Sequence, residues 1–409
     1  GNPALNAAAA VGNRAMVEFL LSRGANVNSK SLGVEDTPLH TAAKKGFEAV
    51  VKVLLANKAD VNAQNKSGWT PLMSAASANQ PEIVKSLLAA GANLNLKDNN
   101  GRTALNCAIG NSPEIFQALL AAGINPNTEN SQGRTPLSYA AGKDGAKVVK
   151  WLLDAKADPN GGTLTAPLLA AISAKDTNSA ALLLQAGANP NVLGKVDWDV
   201  FKNGTTYRAA GQPTETPLFL AISTKQFPMV QLLLKYKADP NDSQTDNRSL
   251  LFSALSDTNI LEALLDAGAK VDARDTTAKT GDNRLLNWTP LLLAIENKNS
   301  ADSVEILLKH GANPNLRDGA FRQTALHWAV GWGGNQLPDR KILESLLAAK
   351  ADPNVRNNSG ETPLDLFKMQ LTAGNISAEQ KTAVAERSDF LRQHGALDKL
   401  PDWNAIAVS

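Results

Sequence analysis

The sequence predicts an all-α fold, a solenoid of stacked helix-turn-helix units joined by short β-hairpin loops, with one extended hairpin insertion. Three observations predict it. A segment built around Thr-Pro-Leu returns at a near-constant interval along the 409 residues. The composition favours thin layers over one large core, since 43% of residues are hydrophobic but only 5% are aromatic, which leaves the packing to Ala and Leu. Within each unit a short Ala-rich run precedes apolar residues at i, i+3 and i+4, the period of an amphipathic helix.

The interval is the firmest of the three. Thr37 opens TPLHTAAKKGFEAVVKVLLANKADVN, and kindred segments open at Thr70, Thr103 and Thr135, at steps of 33, 33 and 32 residues. The motif returns at Ala166, Thr216, Ser249, Thr289, Thr324 and Thr362, and a truncated copy, PALNAAAA, begins at Pro3. Each part has a physical reason. Thr or Ser stands at a helix N-cap, where its oxygen bonds an orphan N–H, and Pro follows in the first turn, where no N–H is needed. Ala42-Ala43, Ala75-Ala76 and Ala140-Ala141 keep the first helix slim, so that a neighbour can approach. The second helix carries apolar residues such as Val50, Val53 and Leu54 and ends at Gly24, Gly91, Gly123, Gly187, Gly268, Gly311 or Gly395, as a left-handed C′ position wants. Lys58, Lys156, Lys237 and Lys350 replace that Gly in four repeats. A closing A-D/N-P/V-N loop follows, with Pro at 126, 159, 190, 240, 314 and 353.

The pattern resembles the ankyrin repeat, whose signature is T-P-L-H-x-A at a period of 33. The resemblance covers nearly the whole chain, in about eleven copies. It implies a curved stack in which each repeat is stabilised by its neighbours, with the concave side of hairpin tips and first helices as the partner-binding surface. The chain reads as a single domain, 1–409, with repeats starting near 3, 37, 70, 103, 135, 166, 216, 249, 289, 324 and 362, and a capping repeat at 362–409. Insertions at 193–215 and 273–287 break the period. The first carries Trp198, Phe201 and Tyr207 around Asn203-Gly204, a strong hairpin signal. Its aromatics either fold back on the solenoid or touch a partner.

Enzyme chemistry finds no foothold, and no cofactor is expected. No nucleophile elbow, phosphate loop or dinucleotide loop appears. The four histidines have no metal-ligand spacing, and the single cysteine, Cys107, stands in a first helix as a small residue. The 41 basic and 39 acidic residues nearly balance, which argues against nucleic acid. No apolar run reaches the length of a membrane span. The Gly1-Asn2-Pro3 start lacks Met, so the native N-terminus is expected upstream, with a signal peptide or more repeats left open. The expectation is a cytoplasmic monomer of bacterial type that binds a protein, with periplasm or secretion left open.

Alignment on the Thr of each motif picks out side chains at the tips and first-helix ends. Lys44, Lys45, Lys66, Trp69, Arg102, Arg134 and Lys143 lean basic in the earlier repeats. Glu215, Asp246, Asp257, Trp288, Glu296, Phe321, Trp332 and Glu361 lean acidic in the later ones. The candidate partner contacts are therefore Lys44, Lys45, Trp69, Arg102, Arg134, Trp198, Tyr207, Trp288, Phe321 and Trp332. Two functions fit: a non-catalytic scaffold that grips a partner protein or extended peptide, or a regulatory arm of a larger enzyme or toxin.

Overall fold

The computed structural model describes residues 3–143, 145–163, 165–194, 215–242, 248–275, 287–296, 301–330, 339–372 and 377–398. Among these residues lie 22 helices. Two isolated antiparallel bridges link described residues, Gly194 with Glu215 and Asp275 with Trp288. The chain divides into two compact units, Gly1–Leu220 and Ala221–Ser409.

Each repeat is a pair of helices, such as Pro38–Lys45 with Glu48–Ala56, or Pro71–Ser77 with Pro81–Ala89. The first helix starts where the motif says. Thr70 and Thr135 accept the N–H three residues on, from Met73 and Ser138, at 3.2 Å each. The fourth motif position closes the cap from the other side. His40 Nδ1 accepts the Thr37 N–H (3.2 Å), Asn106 Oδ1 that of Thr103 (3.0 Å) and Asp365 Oδ2 that of Thr362 (3.0 Å). Three different side chains thus satisfy one orphan donor in the same way.

The core lies between helices and between repeats. Leu39, Ala42, Ala43, Val50, Val51 and Leu54 are fully buried in repeat two, and Leu72, Ala75, Ala76, Val84 and Leu87 repeat the pattern in repeat three. Burying one such Leu or Val contributes about 1.5–3 kcal/mol. The Ala pairs matter by their size, since a longer side chain there would hold neighbouring first helices apart.

The second residue after each second helix is left-handed throughout. Gly24, Gly91, Gly123 and Gly187 have φ of 82–92°, and Lys58, Lys156, Lys237 and Lys350 are held at 61–65°. Beyond it, the closing loop ties most repeats to the next. Asn28, Asn62, Asn127 and Asn160 accept the N–H of Asp60, Asn93, Asp158 and Asn189, at 2.7–2.8 Å. In the second unit Asn241, Asn315 and Asn354 accept from Lys270, Asp352 and Leu397. The same amide often donates to the left-handed residue of that next repeat: Asn160 to the Gly187 carbonyl (3.0 Å), Asn241 to Gly268 (3.0 Å) and Asn315 to Lys350 (3.0 Å). The Asn or Asp two residues earlier positions the bridging Asn by accepting its own N–H, as Asp60 does for Asn62 (2.9 Å).

Both insertions leave the stack through a bridge. Gly194 and Glu215 exchange backbone bonds of 3.0 and 3.4 Å, which closes the base of the first. The hairpin expected within it, with Trp198, Phe201 and Tyr207, lies outside the described residues. Asp275 and Trp288 close the second, the Asp275 N–H donating to the Trp288 carbonyl at 2.9 Å.

Replacing Asn160 by Ala removes both its bonds to the next repeat, and the expected cost is about 1 kcal/mol, given that the amide is exposed. Among the described residues Asn95 makes no such bond, so Asn95→Ala should leave the urea midpoint within about 0.5 kcal/mol of wild type.

Candidate functional site

The residue just before each motif Thr sits at a hairpin tip, and the tips of the first unit are built alike. An Asn or Asp four residues earlier folds the turn around its own side chain. Asn65 Oδ1 accepts the N–H of Ser67 and Trp69 (3.0 Å each), Asp98 Oδ1 those of Asn100 and Arg102 (2.9 and 2.8 Å), and Asn130 Oδ1 those of Gln132 and Arg134 (2.9 and 3.0 Å). Adjacent tips are then bonded through their backbones: Lys66 N–H to Val34 O (3.1 Å), Asn99 to Ser67 (3.0 Å) and Ser131 to Asn100 (2.8 Å). Trp69, Arg102 and Arg134 therefore recur in register along successive repeats.

Their exposure separates them. Trp69 and Arg102 are half-buried and meet, the Arg102 guanidinium lying 5.6 Å from the Trp69 ring centre. Asp98, its side chain fully buried, binds the edge of that guanidinium, accepting from Nε (2.8 Å) and Nη2 (2.7 Å). The charge of Arg102 is thus answered within its own tip, while the indole keeps an outward face. Arg134 is only 7% exposed and turns to Tyr139 at 5.7 Å, which makes it a packing residue rather than an outward contact. Lys44, Lys45 and Lys66 are exposed, and the two on the first helix make no ion pair among the described residues.

The second unit departs further from the expected surface. Trp288 is 2% exposed, bridged to Asp275 and packed on Trp328 with ring centres 4.7 Å apart. It belongs to the core that closes the insertion base, so its ring is not offered to a partner. Trp328 Nε1 donates to Asp318 Oδ2 (2.8 Å), and Asp318 Oδ1 accepts the half-buried Phe321 N–H. Arg248 pairs with Asp275 at 3.0 Å. Trp198, Tyr207 and Trp332 lie outside the described residues.

Sequence reasoning missed the tip carboxylate Asp98 and its Asn counterparts. The recurrence Asn65-x-x-Gly68, Asp98-x-x-Gly101 and Asn130-x-x-Gly133 carried the signal. Those glycines are left-handed, and a Cβ on Gly101 would lie 2.7 Å from the Ser131 nitrogen, so the next tip could not come so near.

Burial pushes the Cys107 thiol up to about 12, against a partial lowering by Arg102, so thiolate is scarce at neutral pH. Among the described residues no three His, Cys, Asp or Glu side chains gather to hold a metal. A cleft of about 650 Å³ lies between the helices Arg14–Ser22 and Glu48–Ala56, but its charges pair within their own helices, Arg14 with Glu18 and Lys52 with Glu48. No helix among the described residues is long and apolar enough to cross a membrane.

His40 and His327 join repeats. Since each Nδ1 accepts a backbone N–H, the neutral ring carries its proton on Nε2 and donates to the next repeat, to Trp69 O (2.8 Å) and Glu361 O (3.1 Å). Burial holds both rings below the ordinary histidine pKa, against the raising effect of those carbonyls.

The family model of ankyrin repeats, three copies to a model, matches residues 5–98, 39–130, 76–163, 107–194, 168–275 and 277–357. Among curated proteins, palmitoyltransferase ZDHHC17 of Danio rerio is 31% identical over 214 residues, 52% of this chain and 32% of that protein. Palmitoyltransferase ZDHHC13 of Homo sapiens is 30% identical over 209 residues, 50% of this chain and 32% of that protein. An ankyrin repeat protein of Fowlpox virus is 36% identical over 159 residues, 36% of this chain and 42% of its own length. The chain thus spans about a third of the length of the palmitoyltransferases it matches. These relatives are vertebrate and viral, which lends nothing to the expectation of a bacterial array.

A pH test follows from the two histidines. Their folded pKa lies below the unfolded value of about 6.5, so the unfolded chain binds more protons as the medium is acidified. Their stability contribution is present above about pH 6.5 and is lost as pH falls from there through the folded pKa. The urea midpoint should therefore fall on acidification, and His40→Asn with His327→Asn should flatten that dependence while keeping the cap, as Asn106 does. His310, raised by its hydrogen bond to Asp266, works in the opposite sense and is common to both proteins.

Proposed function

The chain belongs to the ankyrin-repeat family, and on that premise we propose that it is a non-catalytic scaffold which holds a partner protein or extended peptide on its hairpin tips and first helices. One observation carries the reading. In the first unit, backbone bonds from tip to tip hold a row of turns whose leading side chains are spent differently: Arg102 inward on Asp98, Trp69 partly outward. A rigid, half-exposed indole beside exposed lysines is the kind of anchor that dominates interface energy, because its ordering cost is already met before binding.

The charges favour one sort of partner. Asp98 neutralises Arg102, whereas Lys44, Lys45 and Lys66 remain exposed around the same repeats. An acidic segment with an apolar or aromatic residue for Trp69 fits that surface best.

A second reading has its own support. The relatives matched over about a third of their length are palmitoyltransferases, which fits this chain as the ankyrin arm of a larger enzyme. In that case the surface would receive a substrate protein or an internal segment. The complete reading frame distinguishes the two: an adjoining palmitoyltransferase-like domain supports the arm, and its absence leaves the scaffold.

The surface itself is tested with a displayed random-peptide library. Wild type should select acidic peptides, and the triple variant Lys44→Glu, Lys45→Glu, Trp69→Ala should bind them at least about tenfold more weakly while keeping its urea midpoint. Selected peptides that bind both proteins equally would place the site elsewhere.

A further inference from the structure

The first repeat is richer than its successors in exposed apolar side chains. Of the eight large hydrophobic residues exposed among the described residues, five fall between positions 11 and 34: Val11, Met16, Phe19, Leu32 and Val34. Alignment of the second helices, Arg14–Ser22 on Glu48–Ala56, sets Met16 on Val50 and Phe19 on Val53. Met16 is 45% exposed, whereas Val50, Ile83 and Ile115 at the same position are at most 2% exposed. Phe19 is 52% exposed against 9% for Val53.

These two positions face the preceding repeat. Ser303, the counterpart of Met16, donates to the Leu255 carbonyl of the repeat before it (3.0 Å). Ser345, the counterpart of Phe19, reaches Glu305 of the repeat before it (3.4 Å). In repeat one the same positions present a thioether and a phenyl ring, and no repeat among the described residues lies across from them.

The asparagine ladder is open at the same place. The Asn26 N–H corresponds to those of Asp60, Asn93, Asp158 and Asn189, each bonded by an Asn of the preceding repeat. The Gly24 carbonyl corresponds to that of Gly187, which the preceding Asn160 bonds. Among the described residues neither Asn26 N–H nor Gly24 carbonyl has such a partner. Apolar face and polar ladder end therefore ask for one and the same occupant.

We infer that the outer face of repeat one is a stacking face for one further ankyrin repeat, placed ahead of it in the same polypeptide and closing on a loop that ends in Asn. A second copy of this chain suits the face poorly. Its last described helix, Ala378–Gln393, exposes Glu379, Lys381, Glu386, Asp389 and Arg392, and the fourth residue after Gly395, where the bridging Asn would stand, is Lys399.

The test extends the full chain by a copy of its own residues 37–69, joined ahead of Pro3, so that the copied Asn62 falls in ladder register. Amide hydrogen exchange is compared in the unextended chain, this fusion, the fusion with Asn62→Ala in the copy, and a fusion offset by a two-glycine spacer. The in-register fusion should slow exchange at Asn26 by about tenfold or more and slow residues 16–19 with it. Asn62→Ala should release Asn26 alone, and the spacer should release all of them. Unchanged exchange over residues 16–26 in the in-register fusion would overturn the inference. So would an unextended chain that sediments as a dimer dissociated by Phe19→Glu, which would assign the face to a second copy.

Discussion

No repeat of this chain can bury its apolar face alone, and nearly every other feature serves that constraint. A pair of helices of seven to nine residues, such as Pro71–Ser77 and Pro81–Ala89, has too little interior to hide Leu72, Val84 and Leu87 without a neighbour. Burial supplies most of the stability, at about 1.5–3 kcal/mol for each large side chain. It has little directionality, however, and would tolerate sliding. Direction comes from polar contacts at the rim of each joint: Asn160 bridging Gly187 and Asn189, or His40 donating to Trp69. Each is worth about 1 kcal/mol, small beside the apolar term but repeated at almost every joint and specific in geometry.

The left-handed residue after each second helix is where the two kinds of interaction meet. It ends the helix and leaves its carbonyl to the preceding Asn. That demand explains why Lys58, Lys156, Lys237 and Lys350 adopt the same φ as the glycines despite a cost of about 1 kcal/mol each. At the opposite edge, Asn65, Asp98 and Asn130 use similar chemistry to stiffen tips rather than join helices. Cohesion and display thus occupy different edges of one repeat, which leaves the tip residue, Trp in one repeat and Arg in the next, to vary without loosening the stack.

The local grammar was open to sequence reading because each signal acts over a few residues. Thr37-Pro38-Leu39-His40 predicts a capped helix, and Gly24 or Lys58 a left-handed stop, without knowledge of what packs against them. Function-bearing exposure was less legible, since it depends on contacts distant in sequence. Trp288 and Trp69 hold the same motif position, yet the Asp275 bridge and the Trp328 ring bury the first, while Arg102 only partly covers the second. Arg134 and Arg102 are likewise equivalent by position, yet Arg134 is buried against Tyr139 whereas Arg102 is half-buried and bound by Asp98. The bridging asparagines stood in plain view in the closing-loop motif, but their partners are about 30 residues away, beyond any local propensity.

Amide exchange in the closing loops tests most directly the claim that asparagines set the joints. Asp60, Asn93, Asp158 and Asn189 are exposed loop residues, and solvent access alone would give them fast exchange like their neighbour Asn125. The first four N–H groups are bonded by an Asn of the preceding repeat, whereas Asn125 is not reached by Asn95. Slow exchange at the four, with fast exchange at Asn125, is the expected result. Equally fast exchange at all five would mean that the ladder does not hold in solution and that apolar burial alone sets the joints.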